Sequence, residues 1–122
     1  MTTDDTLKIR ELNDRFRRSR SNDPVGLRLG KKVMTSGVRA LGLITVVDIA
    51  ERVVTFDDFN EGNDPHGEHD FGAFEYEGER IFWKLDYYDR TTFGTGHDFG
   101  SENPADPSKT LRVLTIMLAD EY

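Results

Sequence analysis

Residues 74–88 read Phe-Glu-Tyr-Glu-Gly-Glu-Arg-Ile-Phe-Trp-Lys-Leu-Asp-Tyr-Tyr, with two runs rich in aromatic residues on either side of Glu77-Gly78. A glycine in the second place is typical of a two-residue hairpin turn. In the second run, Ile81, Trp83 and Leu85 occupy alternate positions, which predicts that they share one face of a strand. The pattern therefore predicts a β-hairpin whose second strand packs against helices through Trp83.

The turn also sets a register for the residues that precede it. Counting back from the turn places Glu75 opposite Arg80 and, if the first strand extends far enough, His69 opposite Asp86. The sequence thus predicts that the segment around His69 lies beside the end of the second strand.

Four other elements follow from the hydrophobic pattern and its length. Apolar residues at helical spacing, with Thr3 or Asp4 as the cap, predict a helix at the N-terminus. A run that is apolar at nearly every position near the C-terminus predicts a central strand buried on both faces. The predicted elements are a helix over Asp5–Arg20, a strand over Lys32–Val38, a helix over Leu43–Phe56 and a strand over Leu111–Ala119.

These elements together predict an α+β fold, in which an antiparallel sheet of about four strands has two helices packed on one face. A chain of 122 residues has the length of one ordinary domain, so we expect a single domain over residues 1–122. The chain has no cysteine, which excludes disulfides and thiolate chemistry and fits a reducing compartment. No apolar run approaches the roughly 18 residues of a membrane span, so we expect a cytoplasmic protein without a membrane partner.

The charge is unevenly distributed along the chain. The net charge is −7, but residues 1–40 carry +5 and residues 41–122 carry −12; residues 57–79 contain nine carboxylates and no Lys or Arg. This acidic half would repel nucleic acid and attract a basic protein surface, so we expect no direct DNA binding by it. The N-terminal arginines match the dipole of the predicted helix, which gives them a structural explanation: Arg15, Arg17, Arg18 and Arg20.

One tetrapeptide occurs twice, as His69-Asp70-Phe71-Gly72 and as His97-Asp98-Phe99-Gly100. With His66, the two copies contain every histidine of the chain. Both copies lie in segments rich in Gly, Asp, Asn and Pro, where irregular backbone often carries binding residues. The repeat is therefore the best candidate for a functional site.

Three chemical interpretations of this site remain open. In one, Glu68 or Asp70 orients the imidazole of His69 as in a general-base dyad. His66, His69 and His97 could be ligands of zinc or another divalent metal, in a metal-dependent enzyme, such as a hydrolase, with a His/Asp/Glu site around His66–Asp70. Alternatively, Asp64 and Asp70 hydrogen-bond the turn backbone, and His69 pairs with a carboxylate. No nucleophile accompanies the histidines, so the sequence favours a binding protein without a cofactor over an enzyme.

The run Asp64-Pro65-His66-Gly67-Glu68-His69-Asp70-Phe71-Gly72 resembles a motif of a family of short bacterial proteins, domain-of-unknown-function family 3768. The resemblance begins near Ile9-Arg10-Glu11-Leu12-Asn13-Asp14 and extends over nearly the whole chain. Its signature is Asp-Pro-x-Gly-Glu-His-Asp-Phe-Gly, which stands here at residues 64–72, and the second tetrapeptide lies outside it. The resemblance implies a bacterial origin, on plasmid or phage-like elements, and implies no activity.

The acidic half suggests how such a binding protein would act. Exposed carboxylates can compete with nucleic acid for a basic groove, because such grooves bind through charge and counterion release. We therefore expect a binding protein that inhibits a nucleic-acid-binding defence system, as an anti-CRISPR or antirestriction protein does. The expected contact residues are Asp57, Asp58, Glu61, Asp64, Glu68 and Asp70.

Overall fold

A computed structural model describes residues 3–122. Its helices are α1 (Asp4–Arg17), α2 (Pro24–Leu29), α3 (Ser36–Arg39) and α4 (Leu43–Val54), and a 3-10 helix spans Ala119–Glu121. Its strands are β1 (Gly30–Met34), β2 (Phe71–Tyr76), β3 (Glu79–Asp89) and β4 (Thr110–Leu118). A four-stranded sheet with these helices confirms the predicted α+β class.

The strands form one sheet in the order β1-β4-β3-β2. The pairs β2–β3 and β3–β4 are antiparallel, whereas β1 is parallel to β4, with Lys32 beside Leu114. The expectation of a purely antiparallel sheet is therefore wrong at this pairing. Between β1 and β4 the chain passes through α3, α4 and the β2–β3 hairpin, and a long connection of this kind is what parallel neighbours require.

The hydrophobic core lies between the helices and one face of the sheet. All four α-helices contribute to it, so the two predicted helices correspond to α1 and α4, and the short α2 and α3 are additional. Trp83 is 0% exposed, which confirms the predicted orientation of β3. The core residues are Phe16, Leu29, Val38, Ile49, Val53, Phe56, Ile81, Trp83, Leu85, Leu114 and Ile116.

β4 occupies the interior of the sheet, as its apolar sequence predicts. Its residues alternate between buried positions, such as Leu114 and Ile116, and half-buried ones, such as Val113 and Thr115. On the second face Met117 is buried, but Leu111, Val113 and Thr115 are only half-buried, so the expectation of burial on both faces is partly right. All four α-helices pack on the same face, so the other face of β4 is only partly covered.

The β2–β3 hairpin follows the prediction at its turn and departs from it at its far end. Glu77 (φ 47°) and Gly78 (φ 84°) form the two-residue turn, and Glu75 pairs with Arg80. β2 begins at Phe71, and His69 has a φ of 56°, so the chain has already turned away from β3 at His69. The predicted pairing of His69 with Asp86 is therefore wrong.

α1 begins after its N-cap Thr3, whose hydroxyl oxygen accepts a hydrogen bond from the Thr6 N–H at 3.0 Å, and it ends three residues before the predicted Arg20. α4 confirms the second predicted helix with an end at Val54. No helix among residues 3–122 is long and apolar enough to cross a membrane.

The predicted strand over Lys32–Val38 is only partly right. β1 ends at Met34, and Thr35 then caps α3 by accepting a hydrogen bond from the Val38 N–H. A threonine before a short turn of helix is a strong N-cap, and its local hydrogen bond ends the strand here.

Candidate functional site

His69 lies at the centre of a group of polar contacts between α1 and the loop before β2. Its ring Nδ1 is 3.0 and 3.1 Å from the two carboxylate oxygens of Asp14, and its backbone N–H donates to Asp64 Oδ1 at 3.1 Å. The imidazole stacks on Phe59 with ring centroids 3.8 Å apart and an interplanar angle of 4°. The ring therefore has a carboxylate on one edge and an aromatic face against it, which holds it in one orientation.

Asp14 also connects His69 to a buried arginine. Arg17 Nη2 donates to Asp14 Oδ1 at 3.1 Å, and the Arg17 side chain is fully buried. Its guanidinium lies over the rings of Phe59 and Trp83, at 5.4 and 5.2 Å from their centroids. Burial lowers the pKa of Arg17, but an arginine stays protonated at neutral pH. One carboxylate thus holds both the histidine and a buried cation.

Asn13, one residue earlier on α1, forms a second set of hydrogen bonds. Its Nδ2 donates to the Glu68 carbonyl at 2.9 Å and to the Tyr87 hydroxyl at 2.8 Å, and its Oδ1 accepts from Arg112 Nε at 2.7 Å. The Tyr87 hydroxyl in turn donates to Glu68 Oε1 at 2.8 Å. The side chains of Asn13 and Arg112 are fully buried, so these bonds satisfy the Asn13 amide and Arg112 Nε, which have no access to water. Arg112 Nη2 donates to the Pro104 carbonyl at 2.6 Å, whereas Nη1 has no hydrogen-bond partner among residues 3–122. We call the residues of both sets the docking network: Asn13, Asp14, Arg17, Glu68, His69, Tyr87 and Arg112.

Burial and neighbouring carboxylates change the protonation behaviour of two groups near this network. Burial raises the pKa of Asp70, and the charges of Glu68 and Asp64 raise it further. The pKa of Tyr87 is also raised, chiefly by burial, so its hydroxyl remains a donor at neutral pH. The loop thus holds an electrostatically unfavourable carboxylate at Asp70.

The segment before the docking network forms a tight loop with carboxylates on its outside. Asn60 Oδ1 accepts from the Gly62 and Asn63 N–H groups at 2.8 and 3.1 Å, and Asn63 Nδ2 donates to the Asp58 carbonyl at 2.7 Å. These side-chain bonds to the backbone fix the loop locally. Three acidic residues of this loop have exposed side chains, and we call these three residues the acidic loop: Asp57, Asp58 and Glu61.

The six expected contact residues therefore fall into two groups. The three residues of the acidic loop point to solvent, and none of them forms an ion pair with another of residues 3–122. Asp64 is buried and binds the His69 backbone, Glu68 accepts from Tyr87, and Asp70 is half-buried. Only the first group forms an open acidic surface.

The three histidines have different surroundings. His66 and His97 are exposed, whereas the ring of His69 lies between Asp14 and Asp64, with Nε2 3.7 Å from Asp64 Oδ2. Within residues 3–122, no three His, Asp or Glu side chains are arranged to hold a metal ion. The geometry therefore lends no support to the metal interpretation of His66, His69 and His97.

The second tetrapeptide lies along the edge of β3, just beyond the first. The Leu85 N–H donates to the Asp70 carbonyl at 2.8 Å, and two residues on, the Tyr87 carbonyl accepts from the Ser101 N–H at 2.9 Å. The Asp89 N–H donates to the Phe99 carbonyl at 2.8 Å. Alternate residues of a strand direct their backbone groups to the same edge, so both copies border β3 on one side.

Three of the four N-terminal arginines pair with carboxylates of the chain. Arg15 pairs with Asp23 at 2.6 Å, Arg20 pairs with Glu51, and Arg17 is buried in the docking network. Arg15, Arg18 and Arg20 are exposed, and Arg17 is the buried member of the cluster.

The sequence interpretation did not identify Asn13, Arg17 and Arg112 as members of the site. A signal was present: Asn13 and Arg17 stand four and eight residues after the buried Ile9, on the buried stripe of α1, and Arg112 interrupts the apolar run of β4. A polar residue at a position that periodicity predicts to be buried needs a partner in the interior.

The fold and this site define an α+β protein with a mixed four-stranded sheet, one layer of helices and a loop fastened to α1 by buried polar groups. The family described as a protein of unknown function (DUF3768) matches residues 34–121, and the chain belongs to this family. The stretch from Ile9 to Asp14, where the resemblance was expected to begin, lies outside the matched residues. No curated protein and no solved structure matches the chain.

Proposed function

We propose that the chain is a binding protein that uses the acidic loop to engage a basic protein surface of the kind that holds nucleic acid. The observation that carries the proposal is the exposure of Asp57, Asp58 and Glu61 on a loop whose backbone is held by Asn60 and Asn63. A loop that is already ordered loses little conformational entropy on binding. Carboxylates without an internal ion pair remain free to pair with a partner's cations.

The class of role that fits this chemistry is inhibition. A protein that covers a basic groove excludes the phosphate backbone that the groove would otherwise bind. An inhibitor of a host defence nuclease, of the anti-CRISPR or antirestriction type, would act as such a DNA mimic. The absence of cysteine fits a reducing cytoplasm, which is where we propose the protein acts. We further propose a bacterial origin and residues 64–72 as the signature of the family.

The docking network supports the acidic loop and takes no direct part in this proposal. His69 stacks on Phe59, which lies between Asp58 and Asn60, so the network fastens the middle of the loop to α1 through Asp14. This arrangement accounts for the histidine and carboxylates of the signature without catalysis, and we propose no metal or reaction at His69.

The test is a charge reversal with a matched control. The variant Asp57→Lys, Asp58→Lys, Glu61→Lys is compared with Glu11→Lys, Glu102→Lys, Asp120→Lys, which changes the net charge equally at other exposed positions. Both are titrated against a panel of purified nucleases and DNA-binding proteins with basic grooves, with a DNA duplex as competitor. We expect DNA and added salt to displace the wild-type protein from its partner.

We expect the acidic-loop variant to bind at least about tenfold more weakly than the wild type, a change of about 1.4 kcal/mol, and the control variant to bind almost normally. Equal losses in both variants would mean that only net charge matters and would reject the acidic loop as the contact. If DNA did not compete for the partner, the proposal that the chain occupies a groove for nucleic acid would be rejected.

A further inference from the structure

β2 is the last strand in the sheet order, so it has a neighbouring strand, β3, on only one side. The Leu85 N–H of β3 donates to the Asp70 carbonyl, next to the start of β2, at 2.8 Å. Alternate residues of an antiparallel strand direct their backbone groups to the same edge, so Gly72 and Phe74 also face β3. The residues between them direct their N–H and C=O groups to the outer edge, away from β3: Phe71, Ala73 and Glu75.

Nothing in β2 itself blocks pairing along this outer edge, which we call the β2 edge. The outward N–H and C=O groups form no backbone hydrogen bond with any of residues 3–122. Edge strands are normally protected by Lys, Pro or a β-bulge, but β2 contains no Lys or Pro and pairs with β3 without a bulge from Phe71 to Tyr76. The other edge strand, β1, does carry exposed lysines, Lys31 and Lys32. The β2 edge is therefore a template for a further strand.

The side chains of β2 determine what kind of strand fits beside it. Phe74 packs against the core on the helix face of the sheet, whereas Phe71 and Glu75, at odd-numbered positions, lie on the other face. Phe71 is half-buried, and Glu75 is exposed. A strand with apolar residues on one face and basic residues on the other would pack against Phe74 and pair with Glu75.

The charges around the β2 edge favour a cationic strand, even after the internal ion pairs are counted. Lys84 is paired with Asp86 at 3.0 Å. Arg80 is paired with Glu75 at 3.2 Å, but both side chains are exposed, and exposed ion pairs are weak. In or beside the hairpin, four carboxylates stand against Arg52 and Arg80: Asp48, Glu75, Glu77 and Glu79. The β2 edge therefore has an excess of negative charge.

This excess of charge decides which strand can occupy the β2 edge. A second copy of the chain would bring the same excess of carboxylates, so like charges oppose self-pairing. We propose that an extended, cationic segment of a partner protein adds to the sheet along the β2 edge as a further strand. Its backbone pairs with Phe71, Ala73 and Glu75, and one of its basic side chains faces Glu75. The inference does not depend on the acidic loop, because backbone pairing at β2 requires no groove in the partner.

The first experiment uses the capped peptide Lys-Val-Lys-Val-Lys-Val-Lys, whose lysines share one face of a strand and whose valines share the other. Titrated into isotope-labelled protein, it should slow the hydrogen exchange of the Phe71, Ala73 and Glu75 amides. The amides of Gly72 and Phe74, which already face β3, should not change. The same peptide with Glu in place of Lys is the matched control and should bind at least about tenfold more weakly. Equal binding of the two peptides would overturn the cationic character of the strand.

Two N-methylated forms of the lysine peptide test the backbone pairing without any change to the protein. Methylation of either the lysine amides or the valine amides removes the donors along one edge of the peptide, because alternate residues point to opposite edges. One methylated peptide should bind as the parent peptide does, and the other should bind at least about tenfold more weakly. Equal losses in both peptides, or no loss in either, would overturn the strand addition.

A pair of protein variants tests the contact with Glu75. Glu75→Gln should weaken binding of the lysine peptide at least about threefold, whereas Glu102→Gln, at an exposed position outside the hairpin, should leave it unchanged. Equal affinities of the two variants would overturn this contact. If about 1 mM peptide did not protect the Phe71, Ala73 and Glu75 amides, the proposal as a whole would be overturned. Protection of these amides in the protein alone, lost on dilution, would overturn it in favour of a second copy.

Discussion

The two copies of the His-Asp-Phe-Gly tetrapeptide have the same side chains and different environments. His69 is held by Asp14 and Phe59, and Gly72 lies against Trp83, whereas His97 is exposed and Phe99 is 62% exposed. Both copies border the same edge of β3, but the first continues into β2, whereas the second meets β3 at an isolated bridge between Tyr88 and Gly100. The first copy is also covered, by Asp14 of α1 and by Phe59 of the preceding loop. A motif therefore acquires a role from the element that packs against it.

Between the two tetrapeptides, the largest expected difference in the stability effect of a substitution is at the glycines, Gly72 and Gly100. A Cβ at Gly72 would overlap Trp83 Nε1 and lie 2.8 Å from Phe56 Cε1, both in the rigid core. Gly72→Ala should therefore lower the free energy of unfolding by about 2–3 kcal/mol. At Gly100 the nearest atom, the Tyr87 carbonyl oxygen, is 3.8 Å away, so Gly100→Ala should change stability by less than about 0.5 kcal/mol. Urea denaturation of both variants measures this, and equal effects would contradict the comparison.

The next difference is at the histidines. Asn tolerates the left-handed backbone of His69 (φ 56°), so His69→Asn removes the ring contacts with Phe59 and Asp14 without adding backbone strain. We expect a loss of about 1–2 kcal/mol of stability, and His97→Asn should cost less than about 0.5 kcal/mol. Hydrogen exchange should also show faster opening of residues 59–70 in His69→Asn only. Unchanged protection of that segment would show that the ring does not fasten the loop.

The smallest expected difference in stability between the two copies is at the aspartates. Here we expect the substitution in the first copy to stabilise the protein, not to destabilise it. The folded state raises the pKa of Asp70 above its ordinary 3.8, so folding favours the protonated carboxyl group. The contribution of Asp70 to stability therefore falls as pH rises from its ordinary pKa through its raised pKa in the folded state. Asp70→Asn should therefore stabilise the protein at pH 7 by a few tenths of a kcal/mol, since solvent screens the half-exposed carboxylate.

The matched control for this aspartate is Asp98→Asn. The carboxylate of Asp98 is exposed and accepts from the Gly94 N–H at 2.8 Å, a bond that an amide oxygen can replace. We expect no stabilisation at pH 7 from Asp98→Asn. A larger stabilisation by Asp98→Asn than by Asp70→Asn would break the comparison.

Local patterns in the sequence determined much of this protein. Alternation placed Trp83 in the core, helical spacing defined α1 and α4, and Glu77-Gly78 located the hairpin turn, because each of these signals depends only on neighbouring residues. The turn also set the pairing of Glu75 with Arg80, since register in a hairpin follows from the turn.

Tertiary structure alone decided the parallel position of β1 beside β4, the separation of the acidic residues into an open loop and a buried group, and the contrast between the two tetrapeptides. Each of these depends on contacts between residues far apart in the chain, such as Asn13 with Glu68 and with Arg112. The sequence marks Asn13 and Arg112 as polar residues at buried positions, but it does not state which groups they meet. Only packing brings α1 over the loop and places the Glu68 carbonyl beside Asn13 Nδ2 and Asn13 Oδ1 beside Arg112 Nε.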